Sequence, residues 1–130
     1  QMTMAELATA VQEKVKVNIA LVNNGYLGMV RQWQELFYEE RYNETPMVSP
    51  DFCALAAAYG IPSARVTERN QIESAVRKAQ AHRDGPFFIE FVVEQHDVVY
   101  PMVPAGSDLH DMIRRPRIED HPTEEKEIRP

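Results

Sequence analysis

The chain has 130 residues, 44% of them hydrophobic and 26% charged, enough for one globular domain with a core and too little for two. Its formal net charge of -6 argues against a non-specific nucleic-acid surface, which needs a basic excess. No apolar run approaches the roughly 18 residues that span a bilayer, and the single cysteine, Cys53, excludes an intramolecular disulfide and reads as a buried thiol in a reducing compartment.

The first predicted element is a helix in which Thr3 and Glu6 have capping-box spacing and Leu7, Ala8 and Val11 share one face. A β-branched run from Val15 predicts a strand through Val22. Its last four residues are apolar without alternation, the pattern of a strand covered on both faces. Beyond Asn23-Asn24-Gly25-Tyr26-Leu27, the residues Met29, Val30, Trp33, Leu36 and Phe37 recur at helical spacing, with Trp33 on the apolar stripe. Tyr38 to Val48 reads as a surface loop. Ser49 as N-cap, Pro50 at the first helical position and Gly60 as C-cap bound a further helix. A short strand is expected over Ala64 to Thr67, then a helix with Asn70 and Glu73 at capping-box spacing, carrying Ile72, Ala75, Val76 and Ala79. Gly85-Pro86 admits the strongest strand, Phe87 to Val93. This order indicates a three-layer α/β/α domain with a mainly parallel sheet. The prolines that follow forbid long regular elements. Residues 1–113 are expected to form the domain and 114–130 a mobile charged tail.

The chemistry concentrates where the first strand breaks into paired asparagines. Side-chain amides and free backbone groups there face the crevice beyond the carboxyl ends of the strands. One reading is a simple turn, since Asn and Gly tolerate left-handed conformations. The other is a hard-cation site, to which the Asn24 amide oxygen and a loop carbonyl contribute, shared with a phosphorylated ligand. His82, His96, His110 and His121 show no metal-ligand spacing and read as surface residues.

Met2-Thr3-Met4-Ala5-Glu6-Leu7-Ala8-Thr9-Ala10, Asn23-Asn24-Gly25-Tyr26-Leu27-Gly28-Met29-Val30-Arg31-Gln32-Trp33, Phe37-Tyr38 and Pro101-Met102-Val103-Pro104-Ala105-Gly106 carry a resemblance. From Gln1 to about Ile113 the chain is similar to the C-terminal, cofactor-binding half of acetolactate synthase (acetohydroxyacid synthase) catalytic subunits, within the thiamine-diphosphate enzymes. The resemblance implies the C-terminal part of a thiamine-diphosphate-binding fold. It implies Mg²⁺ held by the Asn24 side-chain oxygen and the Tyr26 backbone carbonyl, with Met2, Asn24, Gly25, Tyr26, Leu27, Gly28 and Met29 beside thiamine diphosphate. Met29, Val30 and Trp33 would line the substrate channel, Trp33 favouring 2-ketobutyrate as second substrate.

The implied reaction belongs to branched-chain amino acid biosynthesis. Pyruvate is decarboxylated and its two-carbon unit joined to a second 2-keto acid by a cytoplasmic homodimer or tetramer, with a possible regulatory small subunit. The resembled enzymes also carry FAD in a middle domain and take the activating glutamate from a neighbouring subunit, so no catalytic residue is assigned to this chain. Their motif opens with Gly-Asp-Gly, which would fall before Gln1. The expectation is therefore a fragment, inert alone, with apolar surface exposed around Met29, Trp33 and Pro101 to Ala105. The alternatives are another thiamine-diphosphate carboligase, oxidase or decarboxylase, a non-catalytic α/β module, or a nucleotide-binding module, which the missing glycine-rich loop disfavours.

Overall fold

The computed structural model describes residues 3–116; Met2 and the tail from residue 117 onward lie outside the described residues. The chain divides after His96 into two units. The first contains α1 (Glu6–Gln12), β1 (Asn18–Asn23), α2 (Gly28–Phe37), α3 (Phe52–Ala58), β2 (Ser63–Val66), α4 (Ile72–Ala81) and β3 (Phe87–Val92). The element order is the one expected, and the three strands form a parallel sheet in the order β1-β3-β2.

The pleat divides the core. Phe87 and Ile89 face one side, where they pack with Val66 and with Ala75 and Ala79 of α4. Phe88 faces the other, against Ala56 and Ile61, with Leu7 and Val11 of α1, Ile19 and Leu21 of β1, and Phe52 of α3 around it. Helices on both faces give the three-layer arrangement. The expectation that β1 is covered on both faces does not hold. Its burial alternates, and Val22 is 68% exposed. The cause is position, because β1 is an edge strand whose Ala20 and Val22 lie beside Ile89 and Phe91, past the part of that face that α4 covers. Only β3, paired on both sides, has consecutive buried residues.

Two caps are shifted. Helix α3 starts at Asp51, whose carboxylate accepts from the Ala54 N–H at 3.0 Å, two residues after Ser49. Gly60, at φ 75°, closes it as expected, placing the Ile61 N–H on the Ala56 carbonyl, a Schellman-type end. The capping box before α4 pairs Glu68 with Gln71 rather than Asn70 with Glu73. At α1 the Thr3–Glu6 box is not formed; Ala5 is the N-cap, without a side-chain bond.

The second unit, from Asp97, is held by local bonds. Met102 and Ile113 exchange two backbone hydrogen bonds, and Arg115 pairs with Asp97 at 3.0 Å with its guanidinium over the Tyr100 ring. No helix among the described residues is long and apolar enough to cross a membrane.

Candidate functional site

Strands β1, β2 and β3 run in one direction, and a crevice beyond the carboxyl ends of such strands is where α/β sheets take ligands. The turn from Asn23 to Gly28 leaves β1 at that edge. Asn23 Oδ1 accepts from the Gly25 N–H and Asn24 Oδ1 from the Tyr26 N–H, each at 3.0 Å, so two Asx turns overlap. Gly25 has φ 71°, a conformation that L side chains rarely adopt. A Cβ on Gly28 would lie 2.8 Å from Asn24 Nδ2, so a side chain there would push the packed amide aside.

The turn is stapled to the loop after α2. Leu27 N–H donates to the Thr45 carbonyl and Met47 N–H to the Gly25 carbonyl, both at 2.8 Å, around an antiparallel bridge between Tyr26 and Pro46. In a pair of this type the bridged residues turn their own N–H and C=O outward. Tyr26 therefore directs its N–H, taken by Asn24 Oδ1, and its carbonyl away from residues 45–47. Two oxygens suited to a hard cation thus share one short turn. An open cleft of about 300 Å³ adjoins them, with Leu21, Met47 and Phe52 in its walls. Thr45 is fully buried, and its Oγ1 has no hydrogen-bond partner among the described residues.

Behind the turn, Arg31 is buried and ties α2 to its surroundings. Its guanidinium lies over the rings of Tyr26 and Tyr42, 5.4 and 4.8 Å from their centroids, and pairs with Glu35 at 3.1 Å. It also meets His96 Nδ1 at 2.9 Å. A guanidinium only donates, so Nδ1 accepts and the neutral ring carries its proton on Nε2. Burial, then the Glu35 carboxylate, push the Tyr42 phenol above its ordinary pKa.

Below the turn lies a carboxylate. Glu90, on the central strand, is 3% exposed. One oxygen accepts from Asn23 Nδ2 at 2.8 Å; the other accepts from Arg65 Nε at 2.7 Å, with the Cys53 thiol 3.8 Å away. Arg65 also pairs with Asp51, the N-cap of α3. The hydrogen bonds that Arg65 donates to Glu90, then to Asp51, hold the guanidinium protonated well above its usual range. The Ala54 N–H, then Arg65, hold the Asp51 carboxyl below the usual carboxylate value. Cys53 is half-buried, not fully enclosed as its neighbours in sequence suggested.

The expected site residues thus separate into two groups. Asn24, Gly25, Tyr26, Leu27 and Gly28 form the turn and its exit into α2. Met29, Val30 and Trp33 stand on the outer face of α2, with Trp33 42% exposed and edge-on to Phe37 at 5.8 Å. The apolar stripe of α2 therefore faces away from this chain's core, while Arg31 and Gln32 are the buried residues. Met2 lies outside the described residues. Sequence reasoning missed Arg31, Thr45, Arg65 and Glu90 as a set. The available signal was a charge inside the otherwise apolar run Phe87-Phe88-Ile89-Glu90-Phe91-Val92. Among the described residues no group of three His, Cys, Asp or Glu side chains could hold a metal, so the turn offers neutral donors and no charge of its own.

The family described as thiamine pyrophosphate enzyme, C-terminal TPP binding domain, matches residues 1–91. The chain is 45% identical over 117 residues to the acetolactate synthase large subunit of Corynebacterium glutamicum, covering 86% of this chain and 19% of that protein. It is 37% identical over 115 residues to the acetolactate synthase isozyme 2 large subunit of Escherichia coli, covering 88% and 21%. The chain thus spans about a fifth of the length of these curated relatives. Among solved structures, benzoylformate decarboxylase from Polynucleobacter necessarius superposes with a TM-score of 0.66 over 74% of this chain and 18% of that one, at 23% identity. The thiamine diphosphate-dependent 4-hydroxybenzoylformate decarboxylase of Rhodococcus jostii RHA1 gives 0.64 over 70% and 17%, at 27% identity. The match over residues 1–91 places the chain in the thiamine pyrophosphate enzyme family, of which it carries the C-terminal TPP binding domain.

Proposed function

We propose that this chain is the cofactor-binding part of an acetolactate synthase large subunit, one that decarboxylates pyruvate and joins the two-carbon unit to pyruvate or 2-ketobutyrate. The observation that carries the reading is the double Asx turn at Asn23 to Tyr26, within a chain 37% to 45% identical to acetolactate synthase large subunits over most of its length. The likeness to the decarboxylases is weaker, at 23% and 27% identity, so carboligation is preferred to simple decarboxylation.

The residues fit a Mg²⁺–diphosphate group. Asn24 Oδ1 and the Tyr26 carbonyl are hard oxygen donors of the kind Mg²⁺ takes, and the cation would reach its full coordination with the diphosphate and donors from outside this turn. Gly28 leaves the space that Asn24 occupies. It also opens a helix of 10 residues, whose first N–H groups favour an anion. When bound, thiamine diphosphate supplies the carbanion chemistry; the chain supplies placement and electrostatics. Met2, Leu27 and Met29 would flank the cofactor. Val30 and Trp33 would wall the channel to it, where an indole face adds contact with one more methylene, a preference of roughly 1–3 kcal/mol for 2-ketobutyrate over pyruvate. The remaining parts of the site, including the activating carboxylate and any FAD domain, would come from the rest of an oligomeric, cytoplasmic enzyme.

A chimera tests this. The matching segment of the E. coli isozyme 2 large subunit is replaced by this chain, and products from pyruvate, alone and with 2-ketobutyrate, are measured in the assembled protein. Acetolactate formation that is lost in Asn24→Ala supports the reading. Acetaldehyde without acetolactate would reassign the chain to a decarboxylase.

A further inference from the structure

We propose that Glu90 is a positioning residue. Its carboxylate dictates which way the Asn23 amide faces, and through that amide it holds the Asn23–Tyr26 turn in the shape that presents the Asn24 and Tyr26 oxygens together. The inference deepens the cofactor reading above and rests on it for its purpose.

Donors and acceptors fix the orientation. Glu90 Oε2 is taken by Arg65 Nε at 2.7 Å and Oε1 by Asn23 Nδ2 at 2.8 Å. An ionised carboxylate only accepts and a guanidinium only donates. The Asn23 amide therefore turns its NH₂ toward Glu90, which leaves Oδ1 as the end that meets the Gly25 N–H at 3.0 Å. With the opposite amide orientation, two oxygens would face each other below the turn and an NH₂ would face an N–H within it. The Gly25 bond closes the first Asx turn, and the Asn24 Oδ1 bond to the Tyr26 N–H closes the second. The order at the mouth of the sheet is thus set by a charge on its central strand.

The surroundings fix that charge in place. Glu90 lies at the register position shared by Leu21 of β1 and Arg65 of β2. It is 3% exposed, so its position is set by the sheet rather than by a flexible surface side chain. A buried carboxylate is costly unless it is paired and hydrogen-bonded. Arg65 meets that requirement by itself, so the bond to Asn23 does more than neutralise a charge.

In Glu90→Gln, Arg65 can only donate and keeps the Gln oxygen, so the Gln NH₂ faces Asn23. The Asn23 amide then reverses and its oxygen leaves Gly25. In the double variant Glu90→Gln with Asn23→Asp, one Asp oxygen accepts from the Gln NH₂ and the other from the Gly25 N–H, restoring the turn with the same net charge.

The experiment follows amide hydrogen exchange by NMR in the 130-residue chain. It reads the Gly25 and Tyr26 N–H groups, with the Ile89 N–H as a reporter of the sheet. Glu90→Gln should lower protection at Gly25 and Tyr26 by roughly threefold to tenfold, the scale of one hydrogen bond, with Ile89 unchanged; the double variant should recover it. Unchanged protection in Glu90→Gln, or no recovery in the swap, overturns the proposal. If Glu90→Gln does not fold, Asn23→Ala takes its place. That variant keeps the Glu90–Arg65 pair; loss of Tyr26 protection supports the inference and unchanged protection overturns it. Adding Mg²⁺ with thiamine diphosphate to the wild-type chain tests the cofactor reading separately. Shifts of the Asn24 side-chain and Tyr26 amide resonances support that reading. Their absence counts against it and leaves the exchange result standing.

Discussion

At the scale of single residues, the site is a matter of space and of which atoms have partners. A Cβ on Gly28 would come within 2.8 Å of Asn24 Nδ2, so Gly28→Ala should displace the amide that offers its oxygen to the cation. Mg²⁺–thiamine diphosphate affinity is expected to fall about 10- to 100-fold, the usual effect of disturbing a ligand's support. Thermal stability should move by less than about 1 kcal/mol, because alanine suits a helix better than glycine. Titration and a melting curve on the same sample separate the two effects. Thr45 is the opposite case, since its buried hydroxyl has no partner among the described residues. Thr45→Val removes that hydroxyl at similar shape and should stabilise the chain by about 1 kcal/mol, measured by denaturant unfolding. Asp51 gives a pH dependence. Its folded pKa is lowered, first by the Ala54 N–H and then by Arg65, so its contribution is complete above the unfolded carboxylate value. It is lost as pH falls through the depressed folded one. The variant Asp51→Asn keeps a side-chain oxygen to cap the helix but does not ionise. The stability gap between wild type and Asp51→Asn should therefore close on acidification below about pH 4; a gap constant down to full protonation would refute the assignment. Asn24, Gly25 and Gly28 were legible in sequence because turn chemistry is local. Glu90 and Arg65 were not, because their meaning depends on three strands brought into register.

At the scale of elements, α2 shows what periodicity can and cannot say. Helical spacing of Met29, Val30, Trp33 and Phe37 correctly marks a helix, yet that stripe is exposed while Arg31 and Gln32 are buried. Spacing defines a face; it does not name what the face packs against. The same limit explains β1, whose apolar run reports two apolar faces and not two covers within this chain. Cap positions moved for an energetic reason: Asp51 joins the Ala54 N–H to Arg65, a pairing that Ser49 lacks among the described residues and that only the fold creates. Because Trp33 is the single tryptophan, α2 can be probed by fluorescence. Trp33→Lys should leave stability within about 0.5 kcal/mol, as expected for a surface change. In the wild-type chain, emission should be red-shifted and readily quenched by iodide. A blue-shifted, unquenched emission in dilute solution would mean that the stripe is covered. If it is covered by self-association, the shift should depend on concentration and vanish on substituting Phe37 with Lys.

At the scale of the whole molecule, the chain carries placement without charge. The double turn offers Mg²⁺ two neutral oxygens, from Asn24 and Tyr26, and the described residues hold no cluster of three acidic, thiol or imidazole groups that could add a negative ligand nearby. Glu90, the carboxylate beneath the turn, is committed to Arg65 and Asn23, so recruiting it to a cation would break the bonds that shape the site. Two neutral donors can place a Mg²⁺–diphosphate group, whose own oxygens carry the charge this cation takes, but they add no anionic protein ligand to complete a working centre. The purified 130-residue chain, given Mg²⁺, thiamine diphosphate and pyruvate, is therefore expected to form no acetolactate above the level of its Asn24→Ala variant. The comparison with that variant matters, because a trace of host synthase would contribute equally to both samples. Acetolactate formed by the wild-type chain and not by Asn24→Ala would show that this segment assembles a working centre alone, and would require a metal-binding carboxylate among residues now assigned to packing.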